Sequence, residues 1–413
     1  MATETSGPVA VPELDAIRAS IAADFPAYLA DLERLVNIDC GSYTPDGVDE
    51  VGRWVRAFLE HLGADVEVRP DPSERYGATV IGTFAGASGG ARVLLIGHMD
   101  TVFDPGTAAA RPFRIEDGIA RGPGVTDMKS GLLAGLYALK AILAEAGRLP
   151  FEHLTFIANP DEEIGSPSST SHIRAAAADV DAALVLECAR ANGDIVSARK
   201  GILDTRIGVH GRAAHAGVEP EKGRSAILEA ARVVRALHAL NGRWEGVTVN
   251  VGKISGGTRP NVVAERCDLD VDVRSTTAEG LRAVEAAVRE LAAATEVPDT
   301  TVDVDVRVSW LPMEKLERSG RLVEHAQAVA ERLGFGVPDT STGGASDANT
   351  TSGMGVPTLD GLGPVGGNDH SPAEYLEVDS IVPRTTLLAG LLLAIARDPT
   401  VLEWRADDPR FGA

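Results

Sequence analysis

Short apolar runs that alternate with helical stretches constrain the fold of this chain most strongly. Arg92–Ile96, Leu154–Ala158 and Ala182–Leu186 are brief and almost wholly apolar, which is typical of strands buried on both faces. Between the first two, Asp127–Gly147 has helical spacing and ends at a glycine with Pro150 just beyond. This alternation predicts an α/β fold, with a mostly parallel sheet flanked by helices. The other elements expected in this part are helices at Leu14–Val36, Asp46–Leu62, Gly320–Leu333 and Asp379–Ala396, and strands at Ala64–Arg69 and Ala78–Phe84.

Residues 201–310 have a different texture. Cys267–Arg274 and Val302–Val308 alternate between polar and apolar residues, which indicates strands with one face in water. The predicted order is β-α-β-β-α-β, the split βαβ or ferredoxin-like unit. Its elements are Ile202–Val209, Gly223–Leu240, Gly246–Ile254, Cys267–Arg274, Ala278–Ala294 and Val302–Val308. We therefore expect a small domain of residues 201–310 inserted into a larger one of residues 1–200 and 311–413.

The charge of the chain restricts its partners. Among 413 residues, 60 acidic and 39 basic side chains give a net charge of −21. Such a charge argues against binding to nucleic acid or to an anionic membrane surface. An anionic substrate would need local arginines or lysines to reverse the field.

The location is predicted from cysteines and from the N-terminal segment. Cys40, Cys188 and Cys267 are too few and too far apart for a disulfide framework, which indicates a reducing compartment. Met1–Val11 lacks the features of a signal peptide, and no stretch reaches the roughly 18 apolar residues of a membrane span. We expect a cytoplasmic protein.

Side chains suited to metal chemistry follow the predicted strands where each ends. His98 and Asp100 lie just after one strand, and a carboxylate two residues from a histidine on an extended segment can orient it. Glu162 and Glu163 belong to an acidic run after the next strand, and Glu187 ends a third. The carboxyl ends of parallel strands face the crevice where α/β proteins bind ligands.

Two further candidates lie in glycine-rich segments. Asp127 follows RGPGVT at a predicted helix start, where an aspartate alone would be an ordinary N-cap. His370 lies in GGNDHSP, where a histidine alone would be an ordinary surface residue. Taken together, two histidines and several carboxylates suit two divalent cations that share a bridging carboxylate, and zinc fits best. A phosphate loop is excluded, since neither GxxxxGK[ST] nor GxGxxG after a strand occurs.

These motifs resemble those of the M20 family of di-zinc exopeptidases and deacylases, in the branch of glutamate carboxypeptidases that includes carboxypeptidase G2. The matching motifs occur in the family's order over nearly the whole chain: GHMDTV, RGPGVTDMKSG, NPDEEIGS, LECA, GRAAHAG and GNDHS. The resemblance implies a di-zinc exopeptidase-type fold with an inserted lid and dimerisation domain. It also implies two Zn²⁺ per subunit, with Co²⁺ or Mn²⁺ as alternatives.

The metal ligands are implied by the same resemblance. His98 and Glu187 complete one zinc site, His370 and Glu163 complete the other, and Asp127 bridges both.

Catalytic residues follow from it as well. Glu162 is the general base that acts on a metal-bridged water, and Asp100 orients His98. In the lid, His215 stabilises the oxyanion. Because this histidine often comes from the partner subunit in relatives, a homodimer through the lid domain is implied.

The implied substrate contacts lie in the lid and in a nearby glycine loop. Asn261 and Arg274 hold the α-carboxylate of the substrate, and Gly344 lines the site together with Gly343. One departure concerns specificity. Asp194 stands where the glutamate carboxypeptidases have a lysine for the glutamate side chain.

The implied reaction is zinc-dependent hydrolysis of an amide bond. It releases a C-terminal amino acid, with glutamate as the candidate, from a peptide or an N-acyl conjugate. The alternative is an N-deacylase of an N-acetyl or N-succinyl amino acid, and Asp194 slightly favours it. An aminopeptidase is a third reading. An inactive binding protein is the least favoured, because Glu162 and all the implied ligands are present.

Overall fold

The computed structural model describes residues 7–86 and 88–407, and the chain divides into two compact units. The first comprises the residues up to 197, 315–341 and those from 346 onward. The second comprises 198–314 and 342–345. The second unit is therefore an insertion, and a short stretch that follows later in the chain also belongs to it.

In chain order, the helices are α1 (Leu14–Val36), α2 (Pro45–His61), α3 (Thr107–Ala110), α4 (Ser130–Ala146), α5 (Thr170–Ala177), α6 (Ala226–His238), α7 (Ala278–Ala293), α8 (Glu317–Leu333), α9 (Asp347–Gly353), α10 (Ile381–Arg397) and α11 (Pro399–Asp407). The strands are β1 (Asp65–Arg69), β2 (Thr79–Ala85), β3 (Ala91–His98), β4 (Arg114–Glu116), β5 (Ile119–Arg121), β6 (Phe151–Asn159), β7 (Ala182–Val185), β8 (Ile195–Arg199), β9 (Gly201–His210), β10 (Thr248–Gly256), β11 (Arg266–Ser275), β12 (Thr301–Trp310), β13 (Asp339–Thr342), β14 (Thr358–Leu359), β15 (Gly366–Gly367) and β16 (Tyr375–Glu377).

The first unit is built on a six-stranded mixed sheet of order β1-β2-β6-β3-β7-β14. Strands β6, β3, β7 and β14 run parallel to one another, whereas at one edge β2 pairs antiparallel with β6 and β1 pairs antiparallel with β2. The α/β fold class is thus confirmed, and the reversed strand β2 makes the sheet mixed. Helix α4 packs against α1 and α10, and α10 also packs against α8. The central strands are buried, which explains their uniformly apolar sequence.

A second, smaller sheet in this unit, β15-β16-β5-β4, escaped the sequence analysis. Its strands are two or three residues long. Strand β16 pairs with both β15 and β5. The loop between β15 and β16 carries His370, and β5 leads into the turn that carries Asp127. This sheet therefore determines where two of the candidate ligands lie.

Helix α4 begins at Ser130, not at Asp127 as predicted. Asp127 has φ −113° and ψ 91°, outside the helical region, and the peptide bond between Asp127 and Met128 is cis. An N-cap role for Asp127 is therefore wrong. The residue lies in an irregular turn before the helix, and its carboxylate is available for other contacts.

Among residues 7–86 and 88–407, the helical stretch Val378–Arg397 has the length and the apolar composition of a membrane span. In the structure, 78% of its most apolar part is buried. The contacts of α10 with α1, α4 and α8 account for that burial.

The second unit has a four-stranded antiparallel sheet of order β10-β11-β9-β12. Its elements follow the chain order β9-α6-β10-β11-α7-β12. Leu269, Val271 and Val273 of β11 point into a core that α6 and α7 help to form. The intervening aspartates lie on the more exposed face, as their alternation predicts.

Candidate metal centre

The candidate ligands of the first unit gather at one edge of the large sheet. His98 is the last residue of β3, Glu162 and Glu163 follow β6, and Glu187 comes two residues after β7. These three strands are neighbours and run parallel, so their carboxyl ends meet at the same edge.

Asp127 lies between the two histidines. Its Oδ1 is 3.1 Å from Nε2 of His98, and its Oδ2 is 3.1 Å from Nε2 of His370. Each histidine also meets a glutamate of its own. Oε1 of Glu187 is 3.6 Å from Nε2 of His98, and Oε2 of Glu163 is 3.0 Å from Nε2 of His370. The result is two sets of one histidine and one glutamate that share one aspartate.

This donor set fits two divalent cations. Nitrogen and carboxylate oxygen ligands are those that zinc accepts, and a shared carboxylate is the usual bridge between two ions. Ligand atoms of His98, Asp127 and Glu163 lie within 4.8 Å of one another, as do those of His98, Glu162 and Glu187. The groups that the sequence analysis assigned to the metals are therefore brought together.

The pKa values of these groups are shifted because several acidic side chains lie close together. Burial and neighbouring carboxylates raise the pKa of Glu163 to about 7, and burial with the charge of Glu187 raises the pKa of Glu162 well above its usual range. Hydrogen bonds to Asp127 and Glu163 raise the pKa of His370 to about 11. Carboxylates held this close call for a positive charge among them, which a cation would supply.

Asp100 holds two parts of the centre at once. The Nδ1–H of His98 donates to the main-chain oxygen of Asp100 at 3.0 Å, which orients the ring so that Nε2 faces Asp127. The buried Asp100 carboxylate accepts from the backbone N–H groups of Glu162 and Glu163, at 3.1 and 3.2 Å, and from Oγ of Ser42 at 2.6 Å. The sequence indicated that the Asp100 carboxylate would orient His98, but its Oδ1 lies 3.4 Å from Nδ1 and the main-chain oxygen is nearer.

Glu162 stands apart from its neighbours. Within residues 7–86 and 88–407, its carboxylate forms neither an ion pair nor a side-chain hydrogen bond, whereas Glu163 pairs with His370. A carboxylate that is close to His98 without being paired to it remains free to accept a proton.

Glu374 is a candidate supporting residue of the centre that the sequence did not indicate. This carboxylate is 1% exposed and accepts three backbone hydrogen bonds, from Gly124 and Thr126 at 2.9 Å and from Asp127 at 3.1 Å. It thereby ties the Asp127 turn to the His370 loop, because it follows His370 by four residues. The only signal in the sequence was an acid in an otherwise small and polar loop, HSPAE.

In the second unit, the segments that carry His215 and Asn261 pair with each other. His215 and Val262 form a β-bridge, and the N–H of Ala216 donates to the main-chain oxygen of Asn261 at 3.0 Å. The N–H of Gly217 donates to Nδ1 of His215 at 3.1 Å. Nδ1 is then the acceptor nitrogen, so Nε2 is the ring nitrogen left to donate.

The candidate carboxylate-binding arginine is held by its neighbours. Asp272 accepts from Nε of Arg274 at 2.9 and 3.0 Å, and Nη1 approaches the oxygen of Gly343 at 3.5 Å. Nη1 of Arg199 donates to the oxygen of Gly344 at 3.1 Å, so the two arginines flank the glycine loop. Asp194 belongs to the first unit, in a tight turn with Arg190.

Comparison with known proteins shows to which family the chain belongs. Residues 94–394 match the model of peptidase family M20/M25/M40. The chain belongs to this family. The resemblance noted in the sequence is thereby confirmed, and the protein is a hydrolase of a metallopeptidase family.

The relatives in the M20 family act on different substrates. Carboxypeptidase G2 from Pseudomonas sp. (strain RS-16) is 32% identical over 372 residues, which cover 89% of each chain. Succinyl-diaminopimelate desuccinylase from Dechloromonas aromatica (strain RCB) is 28% identical and covers 86% of this chain and 95% of its own. The structure of aminopeptidase PepT from Bacillus cereus has a TM-score of 0.72 at 25% identity, and covers 90% of this chain and 99% of its own. Membership of the M20 family therefore leaves the substrate open.

Proposed function

We propose that this protein is a di-zinc hydrolase that releases an amino acid with a free carboxylate from a peptide or an N-acyl conjugate. One observation carries the proposal. The two oxygens of Asp127 each face a histidine that has its own glutamate, and the unpaired Glu162 lies near one of them, His98.

The ligand assignment follows the contacts. His98, Glu187 and Asp127 would hold one zinc ion, and His370, Glu163 and the same aspartate would hold the other. Co²⁺ and Mn²⁺ are the alternatives. When bound, such ions polarise a carbonyl oxygen and lower the pKa of a water molecule.

Glu162 is the proposed general base. Its carboxylate takes a proton from the attacking water and passes it to the leaving amine, so one group serves both proton transfers. Asp100 supports this step indirectly, since it fixes the backbone of Glu162 and the ring of His98.

The second unit supplies the proposed substrate contacts. His215 would donate its Nε2–H to the oxygen of the scissile carbonyl as negative charge develops there. Arg274 and Asn261 would bind the carboxylate of the substrate, with the bidentate geometry that suits arginine, beside Gly344. These roles follow from the family resemblance, and the tautomer of His215 supports the first of them.

We further propose a homodimer that forms through the second unit. Strand β10 is an edge strand and is mostly exposed, and Ile254 on it is 54% exposed. Ile227 and Leu228 of α6 are exposed as well. An unpaired edge with exposed apolar neighbours suits pairing with a second copy, which a mass measurement in solution tests.

We also propose that the protein is cytoplasmic. The three cysteines are all free, which supports the reducing location.

A substrate panel tests the reaction. N-acetyl, N-succinyl, N-benzoyl and dipeptide forms of Glu, Asp, Lys, Arg and Leu are incubated with enzyme that has been stripped with a chelator and then resupplied with zinc. We expect amine release only after zinc is restored, and greatest from acyl- or peptidyl-glutamate. Release only from N-acetyl or N-succinyl forms of another amino acid would favour the deacylase, and cleavage only of peptides with a free N-terminus the aminopeptidase. No release from any member would contradict the proposal.

Glu374→Gln is expected to weaken zinc binding about 10- to 100-fold, the usual effect of losing a group that supports a metal ligand. The amide of glutamine would turn a donor toward one of the three backbone N–H groups that the carboxylate satisfies, and the Asp127 turn would shift. Competition with a chromophoric chelator measures the affinity. Asp379→Asn, at an exposed acid nearby, is the matched control. Unchanged affinity in Glu374→Gln would contradict this role.

A further inference from the structure

Arg190 is a cation beside the metal centre that the proposed mechanism does not use. It follows Glu187 by three residues in the first unit. Its Nη2 donates to the main-chain oxygen of Cys188 at 3.1 Å and lies 3.4 Å from Sγ of the same residue. The guanidinium group is thus held against the segment that carries Glu187.

The same cysteine links Arg190 to the second histidine. Sγ of Cys188 lies 3.9 Å from both carboxylate oxygens of Asp369, the residue before His370. Arg190 and Asp369 are partly exposed, and the side chain of His370 is 55% exposed. Arg190 therefore lies near both ligand segments, on a side of the centre that solvent reaches.

Much of the hydrogen-bonding capacity of Arg190 is unused. A guanidinium group has five N–H donors, and the contacts within the described ranges engage Nη2 alone. Nε is buried without a hydrogen-bond partner. Nor does any carboxylate of residues 7–86 and 88–407 form an ion pair with Arg190. A buried donor without a partner is costly, and the Nη donors that remain on this partly exposed side chain suit a group supplied from outside the chain.

We propose that Arg190 binds a second carboxylate of the substrate, in addition to the α-carboxylate of the released amino acid. The inference rests on the proposed function, because it assigns a substrate class to the same centre. The cations of the proposed centre offset its own carboxylates, but a dianionic substrate still approaches a chain of net charge −21. An arginine fixed at the rim offsets that repulsion, and its planar fork suits a carboxylate.

The second carboxylate has two chemical sources. It belongs either to the side chain of the released amino acid, as in glutamate, or to the acyl group, as in a succinyl group. Two substrate pairs distinguish them: N-acetyl-glutamate with N-acetyl-glutamine, and N-succinyl-leucine with the half-amide N-succinamyl-leucine. Within each pair only the second charge differs.

The kinetic test compares Arg190→Ala with the wild type on both pairs. In one pair we expect kcat/KM for the charged member to fall about 10- to 100-fold, since a charge-assisted hydrogen bond is lost, while its neutral member changes less than about twofold. Arg190→Lys is expected to restore part of the loss. Arg174→Ala, at an exposed arginine of α5, is the matched control. Equal losses for charged and neutral members would overturn the proposal.

A binding test separates this inference from the proposed reaction. Calorimetric titration of the zinc-loaded protein compares glutarate with its half-amide. We expect the wild type to bind the dicarboxylate at least about tenfold more tightly, and Arg190→Ala to lose that preference. If no amide is hydrolysed but this preference exists and depends on Arg190, the anion site stands and the reaction falls. If the wild type shows no preference, the anion site is overturned even where hydrolysis occurs.

Discussion

Asp127→Ala is expected to remove zinc from both sites and to lower amide hydrolysis by more than about 10⁴-fold, beyond the upper end of what a general base alone contributes. The reason is that Asp127 is shared. One of its oxygens faces His98 and the other faces His370, each at 3.1 Å, so one substitution takes a ligand from both proposed sites. Glu163 also lies within 4.8 Å of His98, but its closer contact, at 3.0 Å, is with His370.

Metal analysis of the purified variant measures this effect. We expect about two zinc ions per chain in the wild type and fewer than one in Asp127→Ala. Asp65→Asn, at an exposed aspartate of β1, should keep both ions and full activity. Near-normal zinc content in Asp127→Ala would show that the aspartate is not the shared ligand, and the two-site arrangement would have to be abandoned.

Glu162→Gln is expected to lower kcat about 10²- to 10⁴-fold while zinc content stays at the wild-type level. The carboxylate makes no ion pair in residues 7–86 and 88–407, and burial among like charges raises its pKa, so its loss removes a proton acceptor and no structural contact. The amide cannot accept the proton of the attacking water. Turnover and metal analysis are measured on the same preparation.

Glu163→Gln is the informative comparison, because the two glutamates are neighbours with different contacts. Glu163 lies 3.0 Å from His370, so its substitution should weaken zinc binding, whereas that of Glu162 should not. Zinc loss in Glu162→Gln would instead indicate that this residue is a metal ligand. Its proximity to His98 and Glu187 is compatible with that role. Unchanged turnover would remove its assignment as the base.

The sequence predicted long elements well and short ones poorly. Helix α1 occupies Leu14–Val36 as expected, because its periodicity extends over many turns. Strands β5, β15 and β16 have two or three residues, too few for any period to show. For the same reason the sequence predicts a helix start at Asp127, where the structure has an irregular turn. These unpredicted elements place Asp127 and His370.

The candidate site, too, could be predicted from the sequence only in part. The residue types, their position after apolar strands and the family motifs were all readable in the chain, and they indicated His98, Asp127, Glu163, Glu187 and His370 together. Contacts that span the sequence were not readable. Glu374 reaches Asp127 across 247 residues, and Arg190 gives no local sign of its position beside Asp369.

The amino-acid sequence by itself determined the fold class, the family and the set of groups able to hold metal. Local periodicity and motif spacing are properties of neighbouring residues, so they can be recognised without a structure. Only the tertiary structure decided that each histidine meets its own glutamate, that Asp100 also anchors the Glu162 backbone, and that Arg190 keeps unused donors. Such contacts depend on where distant segments meet at one sheet edge, and chain packing, rather than local preference, sets those distances.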